Sequence, residues 1–333
     1  MNQVLKLVFP LCVTLVLVLT GCRHTELLVP AGTVGPTLRV ADSPGTWSGS
    51  DMLLFSAGGD LVTMRPDGSE RYILTAPVTY EGASAWSPDG LYVAYAAAEA
   101  GNGDIWIAPW NVLGDPERYT NITQRPDVDD SGPCWSPDGR HIAFASFRNG
   151  NWGIYTADLL IYEEFIDPLV LQQQRLTINK GFEGHPAWFP DGSWIAYTSD
   201  RGFRWQIYLT DPDGAYTIPM TGTTNLRSTA YPAWSPDGSY LAFASTFDEN
   251  WDIYVMQTDG SGLKQLTSHP AADWHPAWSP DGRWIAFVSD RSGISDIYLV
   301  SADGMVLIQV TNTVEPEDYP VWQVPISEVI SFR

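Results

Sequence analysis

A five-residue motif that recurs along the chain constrains its fold more than any other feature. Trp-Ser-Pro-Asp-Gly occurs four times, and a variant with Phe in place of Ser occurs once. Weaker versions, Trp47-Ser48 and Trp322-Gln323, bound the series. The seven tryptophans are separated by 39, 49, 53, 46, 44 and 44 residues, which is about the length of a four-stranded propeller blade. Seven tryptophans therefore bound six repeating units.

The last unit shows how each repeat is built. Alternating residues at 284–289 predict one strand, residues 296–300 a second and 306–311 a third, and the segment leading into Trp278 supplies the fourth. Pro-Asp-Gly and Asp-Gly pairs predict the tight turns between them. The sequence thus predicts an all-β, six-bladed propeller. Because the first unit is short and residues 319–322 are strand-like, we expect the C-terminal strand to complete blade one.

The motif residues are predicted to be structural. Each tryptophan buried between blades would contribute on the order of 4–6 kcal/mol before entropy is deducted. The aspartates are expected to bond their own turns. Cys134 occupies the position that is alanine in other units, so we expect a small core residue there and not a nucleophile.

The full repeat resembles that of the TolB-type propeller family. Its parts are Pro-Ala-Trp-Ser-Pro-Asp-Gly, Ile-Ala-Phe, Ser-Asp-Arg, Asp-Ile-Tyr, Asp-Gly and Leu-Thr, and they cover about residues 47–323. The resemblance implies the propeller fold. The same repeat occurs in TolB of the Tol–Pal envelope system, in propellers attached to prolyl-oligopeptidase-type hydrolases, and in some carbohydrate-active enzymes, so fold alone leaves the function open. TolB also has an α/β domain, to which the resemblance does not extend.

The first two dozen residues are typical of an export signal. Lys6 precedes an apolar run at 7–19, which is too short to span a membrane, and the run ends in Leu19-Thr20-Gly21-Cys22. This ending resembles a bacterial lipobox. It predicts a signal peptide at 1–21, a lipidated Cys22 with a flexible tether at 22–46, and the propeller at 47–333. An ordinary signal peptide or an uncleaved anchor are alternatives, and both would also export the domain.

The net charge and the cysteine content limit which kinds of partner and which disulfides are expected. The formal charge is −21, and becomes −22 once Lys6 is removed, so nucleic acid and anionic lipid would be repelled. We expect membrane attachment only through the lipid, on the periplasmic or extracellular side. With Cys12 removed and Cys22 lipidated, Cys134 has no disulfide partner.

Two positions of the repeat should meet at one entrance of the central channel, because both begin the innermost strand. Five residues before the tryptophan the units carry Glu81, Asp130, Glu183, Thr229, Asp273 and Glu317. Two residues further on they carry Ala83, Gly132, His185, Tyr231, His275 and Tyr319. We predict two stacked rings, flanked by the loops that hold Arg148, Arg201 and Arg291. The predicted ligand-binding residues are Glu81, Asp130, Glu183, His185, Tyr231, Asp273, His275, Glu317 and Tyr319.

The rings suggest three functions. The first is recognition of an envelope protein or peptide by a monomeric, non-catalytic propeller, with the acidic residues steering a basic or polar ligand and no cofactor required. The second is a metal site formed by Glu183, His185, Asp273 and His275. As the alternative to a metal site, we predict that these polar groups only bond the backbone and water at the strand ends. The third is a carbohydrate-active lyase or hydrolase that uses paired carboxylates. A peptidase is disfavoured because Gly-x-Ser-x-Gly is absent.

The third unit also contains an insertion. About nine extra residues between Asp158 and Gln174 are apolar and acidic in turn. They predict a long hairpin that projects from the face opposite the entrance. Its apolar residues, Leu159, Leu160, Ile161, Tyr162 and Phe165, could either bind a partner or fold back over a blade.

Overall fold

A computed structural model describes residues 39–40, 52–74, 81–99, 101–110, 118–162, 165–202, 204–221, 227–247 and 250–324. The backbone alone is described at 39–40, 81, 99, 161–162 and 165–169. Contacts divide the chain into residues 1–35 and 36–333, and the first unit lies wholly outside the described residues. The predicted signal peptide and Cys22 lie outside the described residues, so both stay predictions.

The described residues form six antiparallel sheets of four strands, one of which gains a fifth strand. Blade 1 consists of β2 (Leu53–Ala57), β3 (Asp60–Met64), β4 (Tyr72–Ile73) and β25 (Glu317–Trp322). Blade 2 consists of β5 (Glu81–Trp86), β6 (Tyr92–Glu99), β7 (Asn102–Pro109) and β8 (Thr120–Asn121). Blade 3 consists of β9 (Asp130–Trp135), β10 (His141–Arg148), β11 (Asn151–Tyr162) and β12 (Phe165–Arg175).

The remaining three blades follow the same order. Blade 4 consists of β13 (Glu183–Trp188), β14 (Ile195–Ser199), β15 (Gln206–Thr210) and β16 (Thr217–Pro219). Blade 5 consists of β17 (Thr229–Trp234), β18 (Tyr240–Ser245), β19 (Asp252–Gln257) and β20 (Lys264–Gln265). Blade 6 consists of β21 (Asp273–Trp278), β22 (Trp284–Ser289), β23 (Asp296–Ser301) and β24 (Val306–Gln309). The predicted six-bladed fold is confirmed.

The innermost strands close the ring. Each of β5, β9, β13, β17, β21 and β25 contacts the innermost strand of the next blade. β25 pairs with β2, joining Glu317 to Ala57 and Trp322 to Leu53. The C-terminal strand therefore completes blade 1, as predicted. This closure gives blade 1 four strands and brings β25 into contact with the innermost strands of blades 2 and 6.

The core lies between the faces of neighbouring blades. One cluster joins Leu53, Phe55 and Val62 of blade 1 to apolar residues of blade 6, and similar clusters join the other neighbours. The Ile-Ala-Phe segment supplies a fully buried ring in five blades, at Phe55, Phe144, Tyr197, Phe243 and Phe287. Stability is therefore distributed over all the contacts between blades.

Two motif tryptophans, Trp135 and Trp234, are hydrogen-bonded to the blade before them, whereas Trp188 Nε1 donates to the Gly192 carbonyl of its own blade. Trp135 Nε1 donates a hydrogen bond to the Ala85 carbonyl at 3.2 Å, and Trp234 Nε1 donates to the Ala187 carbonyl at 3.2 Å. Each of these alanines directly precedes the motif tryptophan of the preceding blade. The predicted packing role is confirmed, and a hydrogen bond between blades accompanies it.

The motif aspartates hold the turns, as predicted. Ser87 Oγ donates to Asp89 Oδ1 at 2.5 Å, and the Leu91 amide donates to the same oxygen at 2.9 Å. Three further motifs repeat the serine–aspartate bond. Gly90 has a φ of +70°, a conformation in which glycine carries no steric penalty.

The insertion forms a long hairpin from β11 and β12, and its last described pair, Tyr162 with Phe165, lies at the end of the blade opposite the start of β9. Leu159 is buried and joins the cluster between blades 2 and 3, with Val170 packed against it. The side chains at 161–162 and 165–169 lie outside the described set. The described base of the hairpin thus folds back as packing.

Two residues of the predicted tether also form structure. β1 (Arg39–Val40) pairs in parallel with Val306 and Leu307 at the outer edge of blade 6. Among the described residues, no helix is both long and apolar enough to cross a membrane.

Candidate binding site at the channel mouth

The channel mouth is the end at which the innermost strands begin. The loops between the second and third strand of each blade lie at the same end, because Arg148 and Asn151 close the β10–β11 hairpin beside Asp130 of β9. The motif turns lie at the opposite end. Both predicted rings therefore belong to the mouth.

A β-bulge lies at the second ring position. The pairing register shifts there in every blade, for example between Gly184 and Ala187. Backbone φ is +54° at His185, +59° at Tyr231, +50° at His275 and +52° at Tyr319, and +60° at the equivalent Gly132. This left-handed conformation costs a residue with a Cβ roughly 1–2 kcal/mol. Four large rings are thus held where glycine would be unstrained.

These four rings form one cluster, which we call the mouth cluster: His185, Tyr231, His275 and Tyr319. The ring centroid of Tyr231 lies 4.5 Å from that of His185 and 4.2 Å from that of His275, and His275 stacks on Tyr319 at 4.1 Å. His185 and His275 are 5.9 Å apart. The sequence prediction that this position forms a ring is confirmed for four successive blades.

A carboxylate that the sequence analysis missed completes the cluster. Asp318 contacts His275 Nδ1, and its Oδ1 accepts a hydrogen bond from the Tyr319 amide at 2.7 Å. Its side chain is 35% exposed, whereas that of His275 is 11% exposed. Burial, and secondarily the charge of Asp318, raises the pKa of Tyr231 to about 12. Asp318 therefore acts on two members of the cluster.

Two imidazole nitrogens in the cluster are buried without a hydrogen-bond partner, His185 Nδ1 and His275 Nε2. Burial, and to a lesser degree the neighbouring His275, lowers the pKa of His185 to about 3. His185 is therefore neutral at physiological pH. A neutral imidazole carries one donor and one acceptor nitrogen.

The first ring requires a correction. The side chains of Asp130, Glu183, Asp273 and Glu317 are all 0% exposed, so they do not form an open acidic rim. Each lies beside an arginine. Arg291 Nη2 bonds both Asp273 oxygens at 2.8 Å, Arg201 bonds Glu183, Arg148 lies 3.8 Å from Asp130, and Arg71 lies 3.5 Å from Glu317. Carboxylates out of water need such counter-charges.

Three blades build this pair in the same way. Arg148, Arg201 and Arg291 each receive support from a serine hydroxyl two residues earlier and lie over a tyrosine ring, at 4.2, 4.3 and 4.7 Å. In each case the arginine follows the acid by 18 residues. Blade 5 has Thr229 in place of the acid and Phe247 in place of the arginine. The acid and the arginine are therefore present together or absent together in these four blades.

Burial also perturbs these carboxyl groups. It raises the pKa of Asp130 to about 6, and it raises the pKa values of Glu183 and Glu317. The side chain of Glu81 lies outside the described set. A ligand at the mouth would thus reach the mouth cluster directly and the described acids only through their arginines. Their assignment as ligand-binding residues stays a prediction.

A second set of rings, which we call the aromatic arc, extends from the mouth cluster across blades 3 and 4: Phe147, Trp152, Phe182 and Trp205. Successive centroids lie 5.6, 6.3 and 5.1 Å apart, and Phe182 lies 5.8 Å from His185. Ile178, in the loop that precedes β13, is 93% exposed. Phe147 and Trp152 lie in β10 and β11 beside their hairpin turn, and Phe182 and Trp205 lie in loops. Sequence analysis missed the arc, although Trp152 and Trp205 share one repeat position, two residues before Ile-Tyr.

Other candidate chemistry at the mouth is limited by these contacts. Among the described residues, no group of three or more His, Cys, Asp or Glu side chains is arranged to hold a metal. Glu183 and Asp273, two of the four proposed ligands, are bonded to arginines. Cys134 is a free thiol whose Sγ accepts the Trp188 amide at 3.2 Å. Burial raises its pKa to about 11, so it is a poor nucleophile, as predicted.

Comparison with known proteins agrees with this architecture. Residues 224–331 match the family model described as TolB beta propeller domain. TolB from Acinetobacter baumannii is 21% identical with a TM-score of 0.70, and the match covers 82% of this chain and 67% of that one. Putative TolB from Agrobacterium tumefaciens is 21% identical with a TM-score of 0.58, covering 80% and 89%. The propeller is TolB-like.

Other structures show how widely such a propeller is used. A puromycin-hydrolysing peptidase from Mycobacterium tuberculosis is 15% identical with a TM-score of 0.57, and the match covers 78% of this chain but only 42% of that one. No curated protein matches the sequence. At these identities the comparisons establish the TolB-like fold, and the function must be argued from the site.

Proposed function

We propose that this TolB-like propeller is a binding protein whose channel mouth recognises a protein or peptide partner at the cell envelope. The supporting observation is the mouth cluster. Four neighbouring blades hold a large ring in a left-handed backbone conformation that favours glycine. Strain of this kind persists where the surrounding structure over-determines it, and it is concentrated at functional sites.

The aromatic arc supplies the contact area. Aromatic side chains are enriched in protein interfaces and dominate their energetics. Here Phe147 is 39% exposed, and the almost fully exposed Ile178 lies in the adjoining loop. An apolar surface that leads into a polar-aromatic channel matches the usual division of an interface into anchors and surrounding contacts.

The envelope location rests on the N-terminal sequence. We propose that Cys22 carries a lipid and that the tether holds the propeller at the membrane, as its lipobox-like sequence indicates. Changing Cys22 to Ala should abolish lipid attachment and leave unprocessed or soluble protein. Membrane fractionation with metabolic labelling by a fatty acid measures this. A variant that still fractionates as a mature-size lipoprotein would exclude the anchor.

The catalytic alternative is a carbohydrate-active lyase or hydrolase. It requires paired carboxylates at the mouth that face a cleft within about 5–10 Å. Four candidates are buried beside arginines, and Asp318 is a half-exposed carboxylate bonded to a histidine. The peptidase among the structural matches does not change this comparison, since the likeness extends to the fold alone. We therefore favour binding.

The experiment compares the two ends of the propeller. Ile178→Arg and Trp205→Ala alter the mouth, whereas Tyr216→Ala alters an exposed ring, 69% accessible, in a hairpin at the opposite end. Partners are cross-linked in detergent-solubilised envelopes and quantified by mass spectrometry. We expect one partner to be lost from both mouth variants and retained by Tyr216→Ala. A cross-linking profile that is unchanged by both mouth substitutions would exclude the mouth as the binding surface.

A further inference from the structure

We propose that the mouth cluster is a receptor for a primary ammonium group, namely a lysine side chain presented by the partner protein. This proposal rests on the proposed function, since it identifies the group that the mouth recognises. It follows from three features: a carboxylate with no lysine or arginine partner among the described residues, neighbouring aromatic rings and two imidazole nitrogens without a hydrogen-bond partner.

Asp318 is the described carboxylate that contacts the mouth cluster. The four buried carboxylates of the first ring each lie beside an arginine, which offsets their charge. Asp318 contacts His275 but has no lysine or arginine partner among the described residues. It is also more exposed than any of the four. A positive ligand at the mouth would therefore find its counter-charge at Asp318.

The rings around this carboxylate are of the kind that bind cations. Tyr231 and Tyr319 lie on either side of His275, at centroid distances of 4.2 and 4.1 Å. Trp251 lies a further 6.1 Å from Tyr231. Ammonium groups bind over the faces of tyrosine and tryptophan, and the attraction increases when the site is desolvated. Because burial keeps His185 uncharged, that ring does not repel the cation.

The two unpartnered nitrogens can accept hydrogen bonds when each ring carries a single proton on its other nitrogen. In His275 the contact of Nδ1 with Asp318 favours a single ring proton on that side, which leaves Nε2 as the acceptor. In His185 the unpartnered atom is Nδ1. An ammonium group has three N–H donors and no acceptor, which matches acceptor nitrogens backed by a carboxylate. Buried polar atoms without partners are costly, so a ligand that bonds them gains correspondingly.

Lysine fits this cluster better than arginine does. A guanidinium is a planar fork that pairs with both oxygens of a carboxylate, and the chain uses that geometry for Arg291 and Asp273. The mouth cluster offers separate ring nitrogens, and one Asp318 oxygen is already engaged by His275 and by the Tyr319 amide. A compact ammonium suits such single acceptors.

The test measures binding of defined peptides to the purified full chain. The probe is a blocked pentapeptide with one central lysine between glycines, compared with the same peptide acetylated at Nζ. A pentaglycine with a free N-terminus tests whether any primary amine suffices. Isothermal titration gives Kd, and proton NMR reports the lysine ε-methylene, which ring currents should shift upfield. Zinc chloride is titrated separately, because neutral imidazoles also bind transition metals.

We expect the lysine peptide to bind at least tenfold more tightly than the acetylated peptide, with an upfield ε-methylene signal. Asp318→Asn and Tyr231→Ala should each raise its Kd about tenfold, which corresponds to about 1.4 kcal/mol. Tyr231→Phe keeps the ring face and should stay within about threefold, which separates ring loss from misfolding. Controls at the opposite end, Asp259→Asn and Tyr216→Ala, should change Kd less than twofold.

Several results would overturn the proposal. Equal affinity for the lysine and acetyl-lysine peptides excludes recognition of the cation. Zinc binding that depends on His185 and His275, in a chain that does not bind the lysine peptide, also excludes recognition of an ammonium group. If the cross-linked partner is lost in Ile178→Arg but bound normally by Asp318→Asn, the mouth remains the binding surface while the lysine proposal fails.

Discussion

The buried acid–arginine pair of blade 6 can be tested by replacing it with the uncharged residues that blade 5 has at the same two positions. Blade 5 has Thr229 and Phe247 where blade 6 has Asp273 and Arg291. Transplanting these residues gives the single variants Asp273→Thr and Arg291→Phe and the double variant. If the pair exists to neutralise a buried charge, the double variant should be far more stable than the sum of the single losses implies.

The magnitudes follow from burial. Arg291→Phe leaves the Asp273 carboxylate, which is 0% exposed, without its two 2.8 Å bonds, and breaking such a pair costs about 3–5 kcal/mol. Asp273→Thr leaves Arg291 bonded to Ser289 and stacked on Tyr298, so we expect a loss of about 1–3 kcal/mol. The double variant should lose about 1–2 kcal/mol, since blade 5 tolerates that composition. The coupling free energy would then be about 2–7 kcal/mol.

Equilibrium urea denaturation followed by tryptophan fluorescence measures all four proteins. The matched control is the pair Arg65–Glu70, joined at 3.0 Å but with side chains 21% and 47% exposed. A cycle with Arg65→Met and Glu70→Gln should give a coupling below about 1 kcal/mol. Additivity within about 0.5 kcal/mol at Asp273 and Arg291 would refute the view that the acid requires its arginine.

Further predictions concern packing, titration and backbone strain. Trp234→Ala should lower the free energy of unfolding by about 3–5 kcal/mol, because it removes a ring that is 9% exposed and a hydrogen bond between blades. The control Tyr216→Ala should lower it by less than about 0.5 kcal/mol. Similar losses in the two variants would show that the motif tryptophan is not a packing residue. The pKa of Asp130 is raised from 3.8 to about 6, so the folded state binds this proton more tightly, and stability should fall by about 3 kcal/mol as pH rises through 4–6. Denaturation at pH 4 and 7 should show this slope weakened in Asp130→Asn and unchanged in the exposed Asp127→Asn, and an identical slope in both variants would contradict the assignment. Tyr231→Gly should be about 1 kcal/mol more stable than Tyr231→Ala, the reverse of the usual order in a strand, and the usual order in thermal melts would argue against strain at φ +59°.

The sequence alone determined the blades and their closure. Tight turns and strand alternation are local properties, so the Trp-Ser-Pro-Asp-Gly spacing was sufficient to predict six four-stranded units. The completion of blade 1 by residues 317–322 also followed, because a short first unit needs a fourth strand. The positions of His185 and His275 in one ring followed from their equal offset from the motif tryptophan.

The tertiary structure decided which of these residues a ligand can reach. The repeat position predicted an open acidic rim, because it gives neither the burial of a side chain nor its partner on a different loop. A signal was present, since each arginine follows its acid by 18 residues in three units and blade 5 lacks both. Asp318 carried no such signal, because no other unit has an acidic residue at its position, and the arc was marked only by the tryptophan two residues before Ile-Tyr, at Trp152 and Trp205. Their significance arises only when the closed ring brings His275, Tyr231 and Phe182 together across separate blades, and burial then sets their charges and contacts.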